Sequence, residues 1–294
     1  MKKLLLLATL FFSSLVSYCQ KDKVYTSLED ALKNPADVYI LALNNKKLTE
    51  VPGSIVRFPN LTVLDLSGNR LSSLSETVAE LKRLTELNLS NNRFNTIPEV
   101  IVQLANLTDL DMSSNNIWFL PGTITKLVNL KQLYLNNNKL ASIPDFIGSF
   151  SNLTELYLYG NLLPSIPESI SKLNKLVEIG LGGNMLTSLP ENLGNLTNLK
   201  YLALSYNKFD VFPACISRLS NLTVLDLNGN KLTTLPESIG NLSRLAELYL
   251  ESNKLTALPE SIIKLEELTT INTKENPGIK LSPEFKKFIE DKKL

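Results

Sequence analysis

Apolar and polar positions alternate along this chain in a block of 23 residues that is written again and again from residue 38 to residue 276. Each block reads L-x-x-L-x-L-x-x-N-x-L-x-x-L-P-x-x-I-x-x-L-x-x, and Leu222 to Arg244 is one clear copy. The L-x-L step has the two-residue period of a half-buried strand, so Leu225 and Leu227 are expected to face inward and Thr223, Val224, Asp226 and Asn228 outward. After the proline, the I-x-x-L spacing supports at most a short helical turn that carries both residues inward.

The register is strict. Asn69, Asn92, Asn115, Asn138, Asn161, Asn184, Asn207, Asn230, Asn253 and Asn276 fall 23 residues apart. Units begin at Val38, Leu61, Leu84, Leu107, Leu130, Leu153, Leu176, Leu199, Leu222 and Leu245, with a degenerate eleventh from Leu268. Proline recurs from Pro52 to Pro259 with one exception, Ser75. A fixed period of this length signals stacked units that share one core. The asparagines stand where the chain leaves the strand, and their amides are expected to satisfy buried peptide groups in a continuous row.

This pattern resembles the leucine-rich repeat family in its 23-residue Leu-Pro form. The resemblance implies an α/β fold, a right-handed solenoid or horseshoe with a parallel β-sheet on the concave face and helical caps at both ends. It also implies a recognition scaffold without enzymatic activity. By these marks the chain divides into a secretory signal at 1–19, an N-terminal capping helix at 20–37, ten repeats at 38–267, and a degenerate eleventh repeat with a capping helix at 268–294. Strands about 4.8 Å apart give ten units a concave arc of roughly 45 to 50 Å, which suits a macromolecule.

The ends carry their own signals. Lys2 and Lys3 precede an apolar run from Leu4 to Phe12 that is too short to span a bilayer, as in an export leader. Cleavage after Cys19 gives a secreted chain; cleavage before it, at a segment resembling a bacterial lipobox, gives a lipid anchor on Cys19, although Tyr18 departs from that pattern. Ser27 with Asp30, and Ser282 with Pro283, read as starts of capping helices.

Composition narrows the chemistry. The chain has no histidine, which removes histidine-activated nucleophiles and imidazole metal sites. Without Lys2 and Lys3 it carries 28 basic and 29 acidic residues, a balance that gives no sign of nucleic acid. No cofactor or metal is expected, the chain is expected to be a monomer, and Glu86, Asp109 and Asp111 read as a solvated acidic patch.

With the leucines committed to the core, function falls to the outward columns. These hold nine acids, Asp65, Glu86, Asp109, Asp111, Glu155, Glu178, Asp226, Glu247 and Glu251, against one lysine, Lys274. Basic residues line the next edge but give way at Leu162 and Met185. There Tyr134, Tyr157, Tyr159, Tyr201 and Tyr206 surround Gly180 and Gly182, so a tyrosine-walled notch is expected. Drift of solvent positions, a docked protein segment or a sugar stacked on the rings would each account for it. Trp118 and Phe119 interrupt columns of small residues, and read as flank packing or as a lateral contact. The expected function is a secreted or surface-attached, bacterial, protein-binding scaffold, with a glycan as the alternative partner.

Overall fold

The computed structural model describes residues 21–292; the expected leader and Cys19 lie outside the described residues. Twelve short strands form one parallel sheet in chain order. They are β1 Val24–Tyr25, β2 Ile40–Ala42, β3 Val63–Asp65, β4 Glu86–Asn88, β5 Asp109–Asp111, β6 Gln132–Tyr134, β7 Glu155–Tyr157, β8 Glu178–Gly180, β9 Tyr201–Ala203, β10 Val224–Asp226, β11 Glu247–Tyr249 and β12 Thr270–Asn272. From β2 onward each residue pairs with the one 23 places on, as Val224 with Glu247 and Asp226 with Tyr249. The sheet is open, with β1 and β12 at its edges.

The L-x-L alternation works as its period requires. Leu225 and Leu227 are fully buried while Val224 and Asp226 stay partly open, and most coils repeat this, the exceptions being buried Gly180 and Ala203 at the Asp226 position and half-buried Ile271 at the Leu225 position; one core runs along the stacked coils. After the prolines the chain makes five-residue 3-10 turns, such as Glu168–Lys172 and Glu191–Asn195. These turns bury Ile170 and Leu193. They are too short for a helix dipole or an amphipathic face of their own, and stand only because each packs on the next.

The asparagine row closes the coils. Asn161 Oδ1 accepts from Leu140 N at 3.0 Å, and its Nδ2 donates to the carbonyls of Leu135 and Leu158, each at 3.0 Å, and of Tyr159 at 3.3 Å. All ten members of the row are buried. Just before each one the backbone turns left-handed: Gly68, Gly160, Gly183 and Gly229 take positive φ there, and so do Asn91, Ser114, Asn137, Tyr206, Ser252 and Glu275. A second row stands on the flank that leads into the strands. Asn106, Asn152 and Asn221 each donate to a carbonyl 24 residues back, a structural use of the N-L-T triplets.

The caps differ from each other. The N-terminal region is not one helix over 20–37: β1 extends the sheet, α1 (Leu28–Ala31) has a single turn, and Pro35–Asp37 is a 3-10 turn. Ser27 Oγ accepts from Asp30 N at 3.4 Å at the start of α1. Pairing with β2 gives Val24 and Tyr25 ladder bonds that a free helix could not offer. At the other end α2 (Pro283–Lys292) begins with Ser282 Oγ accepting from Phe285 N at 3.1 Å. Phe285 is buried, and Phe288 and Ile289 pack against the last coil.

Candidate binding surface

The outward side chains of β3 to β11 share the concave face of the sheet, and its centre is aromatic. Tyr134 and Tyr157, on neighbouring strands, stack with ring centroids 5.3 Å apart. Tyr157 lies 6.0 Å from Tyr159 and 6.5 Å from Tyr201. Their hydroxyls are all engaged. Tyr134 Oη donates to Glu155 Oε2 at 2.5 Å, Tyr157 Oη donates to Glu178, and the hydroxyls of Tyr159 and Tyr201 meet at 3.0 Å. Burial first, then the partner oxygen, pushes the phenols of Tyr134, Tyr157 and Tyr159 well above their ordinary range.

The expected notch is filled. A side chain begun at Gly180 would run into the rings of Tyr159 and Tyr157, and one at Gly182 would meet the Tyr159 ring at 2.6 Å. The Tyr159 ring therefore lies flat over the glycine coil of β8 and reaches across it to Tyr201 on β9. Glycine removes the side chains that would have lifted the ring off the backbone. The result is a ridge of four rings, with no open notch over Gly180 and Gly182.

Other members of the expected cluster stand apart from the ridge. Leu162 and Met185 follow the asparagines on the strands' exit loops, with Leu162 48 % exposed. Tyr206 is 69 % exposed and left-handed in backbone, and its ring lies against Gly229 of the next coil. Trp118 and Phe119 touch each other at 4.4 Å between centroids on an exit loop, with Trp118 60 % exposed.

On either side of the ridge the face is hollow and acidic. A concavity of about 320 Å³ over β3 to β6 is lined by Asp65, Glu86, Asp109, Asp111, Gln132 and Tyr134 above a floor of Leu64 and Leu87. One of about 290 Å³ over β9 to β11 is lined by Tyr201, Asp226, Asn228, Glu247 and Tyr249. The second hollow was not singled out from the sequence, although Asp226, Glu247 and Tyr249 stand in the outward columns. Among the described residues the two ion pairs are Lys33 with Asp30 and Arg218 with Glu191, both away from this face. Loss of hydration and then the nearby Asp109 raise the Glu86 carboxyl above its ordinary range. Among the described residues no group of three or more carboxylates or cysteines is placed to hold a metal ion. Cys215 is buried in the core, and burial pushes its thiol up to about 11, far from a nucleophile's range.

Comparison with known proteins accounts for the architecture. A family model described as "Leucine rich repeat" matches residues 36–94, 59–117, 82–140 and 128–186, and one described as "Leucine-rich repeat region" matches 185–287. The chain belongs to the leucine-rich repeat family. Among solved structures it is similar to a leucine-rich repeat protein of Leptospira interrogans, with 28 % identity, TM-score 0.57, and 92 % of this chain and 97 % of that chain covered. It is also similar to a TDR receptor, with 28 % identity and TM-score 0.73 over 88 % of this chain and 49 % of that one. A plant peptide hormone receptor, solved in complex with RGF2, matches with 27 % identity and TM-score 0.65 over 82 % and 46 %. The chain thus spans about half the length of these two receptor structures. No curated protein matches it. Leucine-rich repeat proteins are commonly recognition scaffolds without enzymatic activity, and receptors among these neighbours hold peptide partners.

Proposed function

We propose that this leucine-rich repeat protein is an exported scaffold, secreted or surface-attached, that recognises a protein partner through the concave sheet. The observation that carries this reading is the division of labour within each coil. Every strand leucine is turned into the core, while the outward columns hold rings and carboxylates rather than the repeat's apolar consensus. Apolar and aromatic side chains gathered on a charged face are typical of recognition surfaces.

The complex of a neighbouring receptor with its peptide supports the same use of the fold. Export is supported by the lysine-led apolar segment at the N-terminus. No helix among the described residues is long and apolar enough to cross a membrane.

The test is affinity capture from the source's envelope and extracellular fractions with the wild-type chain and with a Tyr134→Ala/Tyr201→Ala variant. Both rings sit at the borders of the ridge, so their removal keeps Tyr157 and Tyr159 in the chain and takes from Tyr159 only its hydroxyl partner. A partner retained by the wild type and lost by the variant supports the reading. Unchanged retention by a variant of unchanged fold would remove it.

A further inference from the structure

We infer that the partner presents an extended cationic segment with two basic clusters, one for each hollow beside the tyrosine ridge. This rests on the concave-face reading above and names the chemistry of what binds there.

Three observations carry it. First, the face holds nine carboxylates and one lysine, and none of the nine has an ion-pair partner among the described residues, although six exposed lysines and arginines stand one step beyond the asparagines and Lys47 stands in the same column. Like charges gathered without counterions repel one another; at Glu86 loss of hydration, and after it the neighbouring Asp109, already hold the carboxyl above its ordinary range. A cationic segment relieves it along the whole face, and charge complementarity of this kind selects partners and speeds encounter.

Second, six of the nine carboxylates are divided between the hollows, while Glu155 and Glu178 are bonded to the ridge tyrosines. Asp65, Glu86, Asp109 and Asp111 line one hollow and Asp226 and Glu247 the other. The rings of Tyr134 and Tyr201 close the inner end of each hollow, where an aromatic face can receive an ammonium or guanidinium group.

Third, the ridge sets a spacing. The hollows are centred between β4 and β5 and on β10, which at about 4.8 Å per strand places them roughly 26 Å apart. An extended chain rises about 3.3 Å per residue, so the two basic clusters should be centred about eight residues apart. Between them the ridge, its hydroxyls already bonded to one another and to Glu155 and Glu178, offers flat rings rather than free donors. Small or apolar residues suit that middle stretch.

Fluorescence anisotropy with the purified chain and synthetic peptides tests this. One labelled peptide carries two Lys-Arg-Lys clusters centred about eight residues apart on a Gly-Ala background. A second carries the same cations in one run, and a third replaces them with Asp and Glu. The spaced cationic peptide is expected to bind at least about tenfold more tightly than the contiguous one and to weaken as salt rises from about 50 to about 200 mM. The acidic peptide is expected not to bind. Asp109→Asn and Asp226→Asn, each in a chain of unchanged circular dichroism, are each expected to weaken the spaced peptide about fivefold or more. Equal affinity for spaced and contiguous peptides, or affinity untouched by both variants, would overturn the inference.

Random peptides selected on the wild-type chain and on the Tyr134→Ala/Tyr201→Ala variant separate this from the broader reading. Non-cationic peptides that need the intact rings would overturn the cationic partner and leave concave recognition standing. Selected peptides indifferent to the rings would remove both.

Discussion

Replacing Asn161 by Ala removes one member of the buried row, and the structure indicates how much that should cost. The amide takes part in four hydrogen bonds, but its loss does not strand four groups. The carbonyl of Leu135 also accepts from Asn138, that of Leu158 from Asn184, and that of Tyr159 from the Asn137 backbone. Leu140 N–H alone is left without its acceptor, in a buried place. An orphaned buried donor costs about 1 to 3 kcal/mol, and the weakened carbonyl sharing adds a fraction of a bond at each of three sites. The expected loss is therefore about 2 to 4 kcal/mol, most of it from the one orphaned donor. Asn129 is the control, since it is exposed and donates one bond, to the Ala105 carbonyl at 2.9 Å. Asn129→Ala should cost less than about 1 kcal/mol. Equilibrium urea unfolding followed by far-UV circular dichroism measures both. Asn161→Asp should be worse than Ala at neutral pH, because a carboxylate would face three carbonyl oxygens. Equal losses at Asn161 and Asn129 would refute the reasoning, since the row would then be decoration and the leucines alone would hold the coils.

Three further outcomes follow from the same geometry. Tyr206 holds a left-handed backbone that glycine occupies in several other coils, so Tyr206→Gly should leave the melting temperature unchanged or raise stability by up to about 1 kcal/mol, whereas Gly183→Ala should lower it. Glu86→Gln removes a carboxyl whose proton is held more tightly in the folded chain than in the unfolded one. The wild type loses that contribution as pH rises through the folded value, so the variant should melt higher than wild type near pH 7 and no higher near pH 3, which thermal melts at the two pH values would check. Mass spectrometry of the exported protein should show a free Gln20 or an acylated Cys19 at its N-terminus; a retained leader would remove the export proposal.

The repeat was legible because a core of stacked coils forces the same residue to the same place in every turn. Leucines that point inward and asparagines that close the coil have no freedom to differ, and the register read from Asn69 to Asn276 is the register of the sheet. The left-handed column was legible in principle from Gly68, Gly160, Gly183 and Gly229, but Tyr206 and Glu275 in the same column hid it. The ridge was not legible. Reading outward residues as flat columns assigns each side chain to its own coil, yet Tyr159 is long enough to leave its strand, cover Gly180 and Gly182, and bond Tyr201 two coils away. Absence of side chains on β8 was therefore read as empty space when it is the seat for a neighbour's ring. β1 was missed for a different reason: Val24 and Tyr25 precede the first repeat, and only the exposed edge of β2 makes a strand of them.

Hydroxyl-radical footprinting of the chain, alone and with the partner it captures, puts the concave-face proposal to its most direct trial. Protection is expected at Tyr134, Tyr157 and Tyr201 on the strands, with the 3-10 turns behind the prolines and the exposed Trp118 unchanged. Protection confined to those turns, or to Trp118 and Phe119, with the strand tyrosines as reactive as before, would contradict it.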